Sequence, residues 1–335
     1  MRILLLGSTG FIGGHTAERL RALADVRLLL GGRNLGSDLE ADLTADPDVL
    51  ESALRLAAPD VVVNCAGLVA GSAVRLTDVN ARGPAALCEA MRDTVPGARL
   101  VHLGSAAEYG PCVPGEPVAE SAATRPLGPY GATKLAGTVA VTASGVDAVV
   151  LRVFNPVGPG APSSGLAGRL AAELRRAGER GRVRVGDLSA HRDFVDVRDV
   201  ADAVAAAVTA EEPLPPVVNI GSGQPARVRE LASLLIEAAG FTGQLDEAGD
   251  GSARSAAVPW QAADISAARI ALGWRPRRAL AESVADLWHA AVAGGGTGGG
   301  TGRGASAGAG RRPGVSTGSD TGPGTGSVRE AIGPA

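Results

Sequence analysis

The segment "RILLLGSTGFIGG", residues 2–14, restricts this chain more than any other. Four large apolar residues in a row, Ile3 to Leu6, leave no wet face and read as a strand buried on both sides. Glycines follow at once at 7, 10 and 13. The first permits a tight turn, the second lets backbone approach a pyrophosphate, and the third allows a helix to pack closely on the strand. The phosphates would then sit at that helix's N-terminus. Gly7, Thr9, Gly10, Phe11, Ile12 and Gly13 are therefore the first candidate cofactor contacts.

The same rhythm continues. Strand-length apolar runs at 2–7, 26–31, 60–67, 98–105 and 147–155 alternate with helix-forming stretches at 11–23, 47–57, 76–92 and 130–143. Continuous Val/Leu strands separated by helices predict an α/β protein with a Rossmann-type doubly wound parallel sheet. After Asn155 the pattern loosens into short strands near 182–187 and 216–223 and helices near 197–210, 227–239 and 278–292. We expect a nucleotide-binding domain over 1–154 and a smaller C-terminal α/β substrate-binding portion over 155–293. From Gly294 the chain turns Gly-rich without apolar periodicity, so 294–335 is expected to be a disordered tail.

An NAD site usually carries an acid at the end of the second strand. Here the strand ends Gly31-Gly32-Arg33, and Arg33 suits a 2′-phosphate, favouring NADP(H) while leaving NAD possible. Asp42 and Leu43 are expected beside an adenine ring. The "NCAG" end of the next strand offers Cys65, Ala66 and Gly67 to a ribose.

Lys134 is the only lysine among 32 lysines and arginines, and Tyr130, one of two tyrosines, stands four residues before it. At i and i+4 they share a helix face. A phenol near pKa 10 is a poor proton donor or acceptor at neutral pH until an ammonium favours its phenolate. The pair can then exchange a proton with a carbonyl or hydroxyl oxygen while hydride moves at the attached carbon. The same ammonium can hold a cofactor ribose, so both residues count as cofactor contacts too. Ser105 ends a strand on the carboxyl edge, where it can hydrogen-bond the same oxygen.

Taken in order, "GSTGFIGG", "NCAG", "GSAAEYG", "PYGATKLAG", "LRVFNPVGPG", "HRDFVDVRDVADA", "VVNIGSG" and "ALGWRP" resemble the extended short-chain dehydrogenase/reductase family of nucleotide-sugar epimerases, dehydratases and reductases. The resemblance implies Ser105, Tyr130 and Lys134 as the catalytic triad. It also implies Asn155 and Arg192 near a substrate's sugar and diphosphate, and a homodimer. Asn80 resembles the family's helix asparagine that supports the tyrosine's surroundings. Dehydratases of the family carry an acid pair where this chain has Ala106 and Ala107. "GSAAEYG" with "VGDLSAHRDFVDVRDV" is most like the GDP-4-keto-6-deoxymannose reductases, which implies Glu108 and Arg254 among the substrate contacts. The expected activity is thus an NADPH-dependent 4-ketoreductase of a GDP- or dTDP-activated 4-keto-6-deoxysugar. An NAD-dependent 4-epimerase is the enzymatic alternative, and a non-catalytic nucleotide sensor the remote one.

Composition sets the remaining bounds. A net charge of −3 without a basic block gives no footing for nucleic acid or an anionic membrane. The N-terminal apolar run is too short for a signal-peptide core. Cys65, Cys88 and Cys112 lack metal spacing and read as inert thiols of a cytoplasmic protein. His15, His102 and His289 read as structural, and His191, beside Arg192, as a minor phosphate candidate.

Overall fold

The computed structural model describes residues 1–33, 36–247 and 258–295. Its centre is a seven-stranded, all-parallel sheet, and the sequence runs explain each strand. The strands are β1 (Arg2–Leu6), β2 (Arg27–Gly32), β3 (Leu39–Glu40), β4 (Val61–Asn64), β5 (Arg99–Ser105), β6 (Ala148–Val153) and β10 (Val217–Ile220), in the spatial order β10-β6-β5-β4-β1-β2-β3. Order reverses beside β1, which opens the ligand crevice of a doubly wound sheet at that strand's carboxyl end.

Alternation along each strand feeds two cores. Ile3, Leu5, Val61, Val63, Val101 and Leu103 pack under α1 (Phe11–Arg21) and α7 (Val197–Thr209). Leu4, Leu6, Val62, Leu100 and Val150 pack under α2 (Pro47–Ala57), α4 (Gly83–Thr94) and α5 (Pro129–Thr142). Because both faces are covered, the strands have no polar stripe, which is why they read as unbroken apolar runs.

The expected helix over 76–92 is α3 (Ala73–Thr77), a π-helical turn (Asp78–Arg82) and α4 in continuous succession. Single π turns inside helices frequently mark functional sites, and this one carries Asn80.

Chain beyond residue 154 is interleaved with the first portion rather than set apart. β10 completes the sheet and α7 packs on α1. The described residues accordingly belong to one compact unit. A further core joins α6 (Leu166–Ala177), α8 (Val228–Ala238) and α10 (Leu280–Gly295), through Leu170, Leu174, Leu231, Leu235, Val284 and Leu287. Two small sheets complete this half. One is β7 (Asn155–Val157), β9 (His191–Asp196) and β11 (Pro225–Arg227); the other pairs β8 (Arg182–Val185) with β12 (Gln244–Glu247). A short helix α9 (Ser266–Leu272) follows. Sequence periodicity missed α6, whose "LAGRLAAELRRA" carries glycine and paired arginines through an otherwise amphipathic pattern. The expected tail lies outside the described residues, apart from Gly294 and Gly295, which end α10.

Candidate active site

The glycine turn is built for close approach. Gly7 sits at φ +79°, and a Cβ there would stand 2.6 Å from the Ala66 nitrogen. A Cβ on Gly13 would stand 2.0 Å from the Gly7 carbonyl oxygen, so α1 lies directly on the turn. Gly10 caps α1 with no side-chain hydrogen bond, which leaves the helix's first N–H groups for an anion. Thr9 and Gly10 are exposed at the mouth, Phe11 meets the His15 ring edge-on, and Ile12 packs inward against the core. A cleft of about 310 Å³ runs past Ser8, Thr9, Leu30 and Ser37. A bare cradle at a helix N-terminus fits a dinucleotide's pyrophosphate.

Around it, Arg33 is exposed at the end of β2. Asp42 accepts from the Thr44 backbone nitrogen and hydroxyl at 2.9 and 2.8 Å. The Leu43 side chain is buried in the core that includes Leu50 and Leu54, so only its backbone is left to face a ligand there. Cys65, Ala66 and Gly67 do follow β4 at the crevice. Burial pushes the Cys65 thiol up to about 12, which keeps it neutral and inert.

Ser105 ends β5 and caps the short 3₁₀ turn Ala106–Glu108. Helix α5 is pressed against that turn, since a Cβ on Gly131 would stand 2.5 Å from the Ala107 carbonyl oxygen. This contact carries Tyr130, the residue before Gly131, toward the Ser105 end of the strand. One turn on, the Lys134 ammonium is buried and donates to the Leu103 carbonyl oxygen at 2.5 Å. Burial lowers Lys134 to about 8, against the opposing pull of Glu108. Asn80 is buried rather than solvent-facing. Its amide accepts from the Leu68 nitrogen, donates to the Leu68 oxygen and reaches the Thr133 hydroxyl on α5.

Glu108 differs from its expected place among substrate contacts. It is fully buried, accepting from the Ser105 nitrogen at 2.7 Å and from Arg152 Nε at 2.8 Å. A carboxylate so occupied braces the serine from beneath. Asn155 donates to the Asp193 carbonyl oxygen, and the buried Arg192 donates to the His191 carbonyl oxygen. The β7–β9 pairing sets these two residues on neighbouring strands. Arg254 lies outside the described residues.

Further buried polar residues support the site, of which the sequence motifs flag Tyr109 in "GSAAEYG". Asp193, buried, accepts from the backbone of Ser222, Gly223 and Ala263, and from the Ser222 hydroxyl. The Tyr109 hydroxyl donates to Asn219 at 2.7 Å, and Gln261 donates to the Ala106 oxygen at 3.0 Å. Asp193 stands inside the quoted "HRDF", so a signal existed; Gln261 has none. Among the described residues, no group of three His, Cys, Asp or Glu side chains is placed to hold a metal, and no helix is long and apolar enough to cross a membrane.

A doubly wound sheet whose first turn is shaped for a dinucleotide defines an NAD(P)-binding enzyme class. The chain belongs to the NAD dependent epimerase/dehydratase family, whose model matches residues 3–221. It is 39% identical over 306 residues to the dTDP-6-deoxy-L-talose 4-dehydrogenase (NAD(P)(+)) of Kitasatospora kifunensis, covering 86% of this chain and 95% of that one. It is 28% identical over 248 residues to the GDP-6-deoxy-D-mannose reductase of Pseudomonas aeruginosa, covering 71% and 80%. The structure of RMD from Pseudomonas aeruginosa complexed with NADPH matches with a TM-score of 0.76 at 25% identity, over 87% of this chain and 99% of that one.

Proposed function

We propose that this protein is an NADPH-dependent 4-ketoreductase acting on a nucleotide-activated 4-keto-6-deoxysugar, with dTDP preferred over GDP as the carrier. The observation that carries the reading is the Tyr130–Lys134 pair, its lysine buried at the carboxyl end of β5 below Ser105. The 39% identical 4-dehydrogenase supports both the carbon and the dTDP carrier.

The glycine turn and Lys134 would hold the cofactor, which supplies hydride when bound. Tyr130 gives its proton to the sugar's C4 oxygen. Lys134 keeps two ammonium protons beyond the one given to Leu103, enough to steady the phenol and a ribose hydroxyl. Ser105, fixed at its nitrogen by Glu108, donates to the same C4 oxygen. Asn155 and Arg192 hold the sugar and diphosphate, Arg192 through the planar fork that suits phosphate. With Ala106 and Ala107 after the serine, no acid pair stands there to remove water across C5–C6.

The purified protein should oxidise NADPH in proportion to dTDP-4-keto-6-deoxyhexose reduced, with weaker turnover of the GDP sugar. Tyr130→Phe should lower kcat at least about a hundredfold, the lower range for a general acid. Interconversion of 4-epimers without net cofactor consumption would overturn the reductase reading in favour of an epimerase.

A further inference from the structure

Asn64 Nδ2, His102 Nδ1, His102 Nε2 and Thr138 Oγ1 are buried and have no hydrogen-bond partner among the described residues. Their placement brings them together. Asn64 on β4 and His102 on β5 are register partners, so their side chains stand side by side on one sheet face. His102 is also in register with Val150, which packs with Val141 of α5. The two polar side chains therefore point toward α5. Thr138 lies one turn beyond Lys134 on the same face of α5, and Lys134 itself reaches the peptide next to His102.

Asn64 Oδ1 accepts from the Ala66 nitrogen at 3.0 Å, which fixes the amide and leaves Nδ2 as the donor to be satisfied. Burial first, and the Lys134 charge second, hold His102 well below the usual histidine range. The ring is thus neutral, with one donor and one acceptor. Polar groups left dry in a protein interior are costly, and buried waters typically make about three hydrogen bonds to such groups.

We propose that an ordered water bridges Asn64, His102 and Thr138, and that His102 acts through it as a positioning residue for Lys134. The second half rests on the reading of Lys134 as catalytic; the water site does not. Lys134 is otherwise faced by Tyr130 on its own helix, by Glu108 with its partner Arg152, and by the neutral Cys65 thiol. A water held by neutral partners gives the ammonium a polar wall without adding charge. His102→Phe would make that wall apolar, so Lys134 would lose its proton at lower pH.

A high-resolution crystal structure should show a water within about 3.2 Å of Asn64 Nδ2 and a His102 ring nitrogen. A dry site, or a direct bond from His102 to Thr138, would overturn the proposal. In pH profiles of kcat/KM, His102→Phe and Thr138→Val should each move the alkaline limb down by roughly 0.5 unit or more, His102→Gln should lie nearer the wild type, and the double variant should move no further than the larger single change. Thr138→Val carries this test if His102→Phe fails to fold. Profiles that superimpose on the wild type would remove the positioning role. Full turnover by Lys134→Met would instead sink the catalytic reading and leave the crystallographic test of the water standing.

Discussion

Arg152 donates from Nε to Glu108 at 2.8 Å in a pair that is nearly sealed from water, and the same carboxylate accepts from the Ser105 nitrogen. Arg152 also lies over the Tyr109 ring, 4.7 Å from its centroid. One buried ion pair thus ties β6 to the strand end that presents Ser105. Removing one partner leaves an uncompensated buried charge, so Glu108→Gln should cost about 3–5 kcal/mol by denaturant unfolding. Glu108→Gln with Arg152→Met should cost clearly less than the two single changes added together. Additive losses in that cycle would show that the pair is not coupled.

The contact between Gly131 and Ala107 predicts a separate defect. Gly131→Ala places a methyl 2.5 Å from a backbone oxygen and 3.0 Å from Pro126 Cβ, neither of them a flexible chain end. Helix α5 must back away, carrying Tyr130 with it. The variant should lose roughly 1–3 kcal/mol of stability, as overpacking does, together with most of its kcat. Gly97→Ala, where a Cβ meets nothing within 4 Å, serves as the control and should stay within experimental error. Full activity in Gly131→Ala would mean that Tyr130 does not depend on this seat.

The central sheet was legible because burial on both faces leaves strands such as Val61–Asn64 without an alternating polar face, giving apolar runs that glycine turns punctuate. The glycine turn and the Tyr130–Lys134 spacing are local patterns, and local patterns survive in sequence. What stayed hidden depends on partners far along the chain. Glu108 reads as a site acid until Arg152, 44 residues away, is seen beside it. Leu43 reads as a loop residue until its burial in the core under α2 is known. Asp193 gathers Ser222, Gly223 and Ala263, up to 70 residues distant, which no periodicity announces. The strand expected near 216–223 is β10, but its place beside β6 was not legible for the same reason: a strand's place in a parallel sheet is set by its crossover, not by its own residues.

Arg33 stands exposed at the end of β2 with no acid in the preceding Gly31-Gly32. If it holds a 2′-phosphate, Arg33→Ala should raise KM for NADPH about ten- to a hundredfold, the worth of a charge-assisted bond. KM for NADH should barely change. A uniform rise for both cofactors would assign Arg33 to folding or to general attraction of anions.

Lys134 separates stability from activity along the pH axis. Burial lowers it to about 8 from an ordinary 10.5. Between those values the unfolded chain holds a proton that the folded chain has released, so stability from this group rises with pH across that window. Below about 8 both states are charged and the full cost of burying the ammonium is present. Activity should run the other way, because loss of the ammonium above about 8 withdraws its support from Tyr130. Denaturant unfolding and kcat/KM should therefore be measured for wild type and Lys134→Met from about pH 7 to 10.5. The stability of wild type relative to the variant is expected to climb through the window while wild-type turnover falls, other titrating groups cancelling in the difference. A relative stability that stays flat or declines with rising pH would show that Lys134 is not held down by burial.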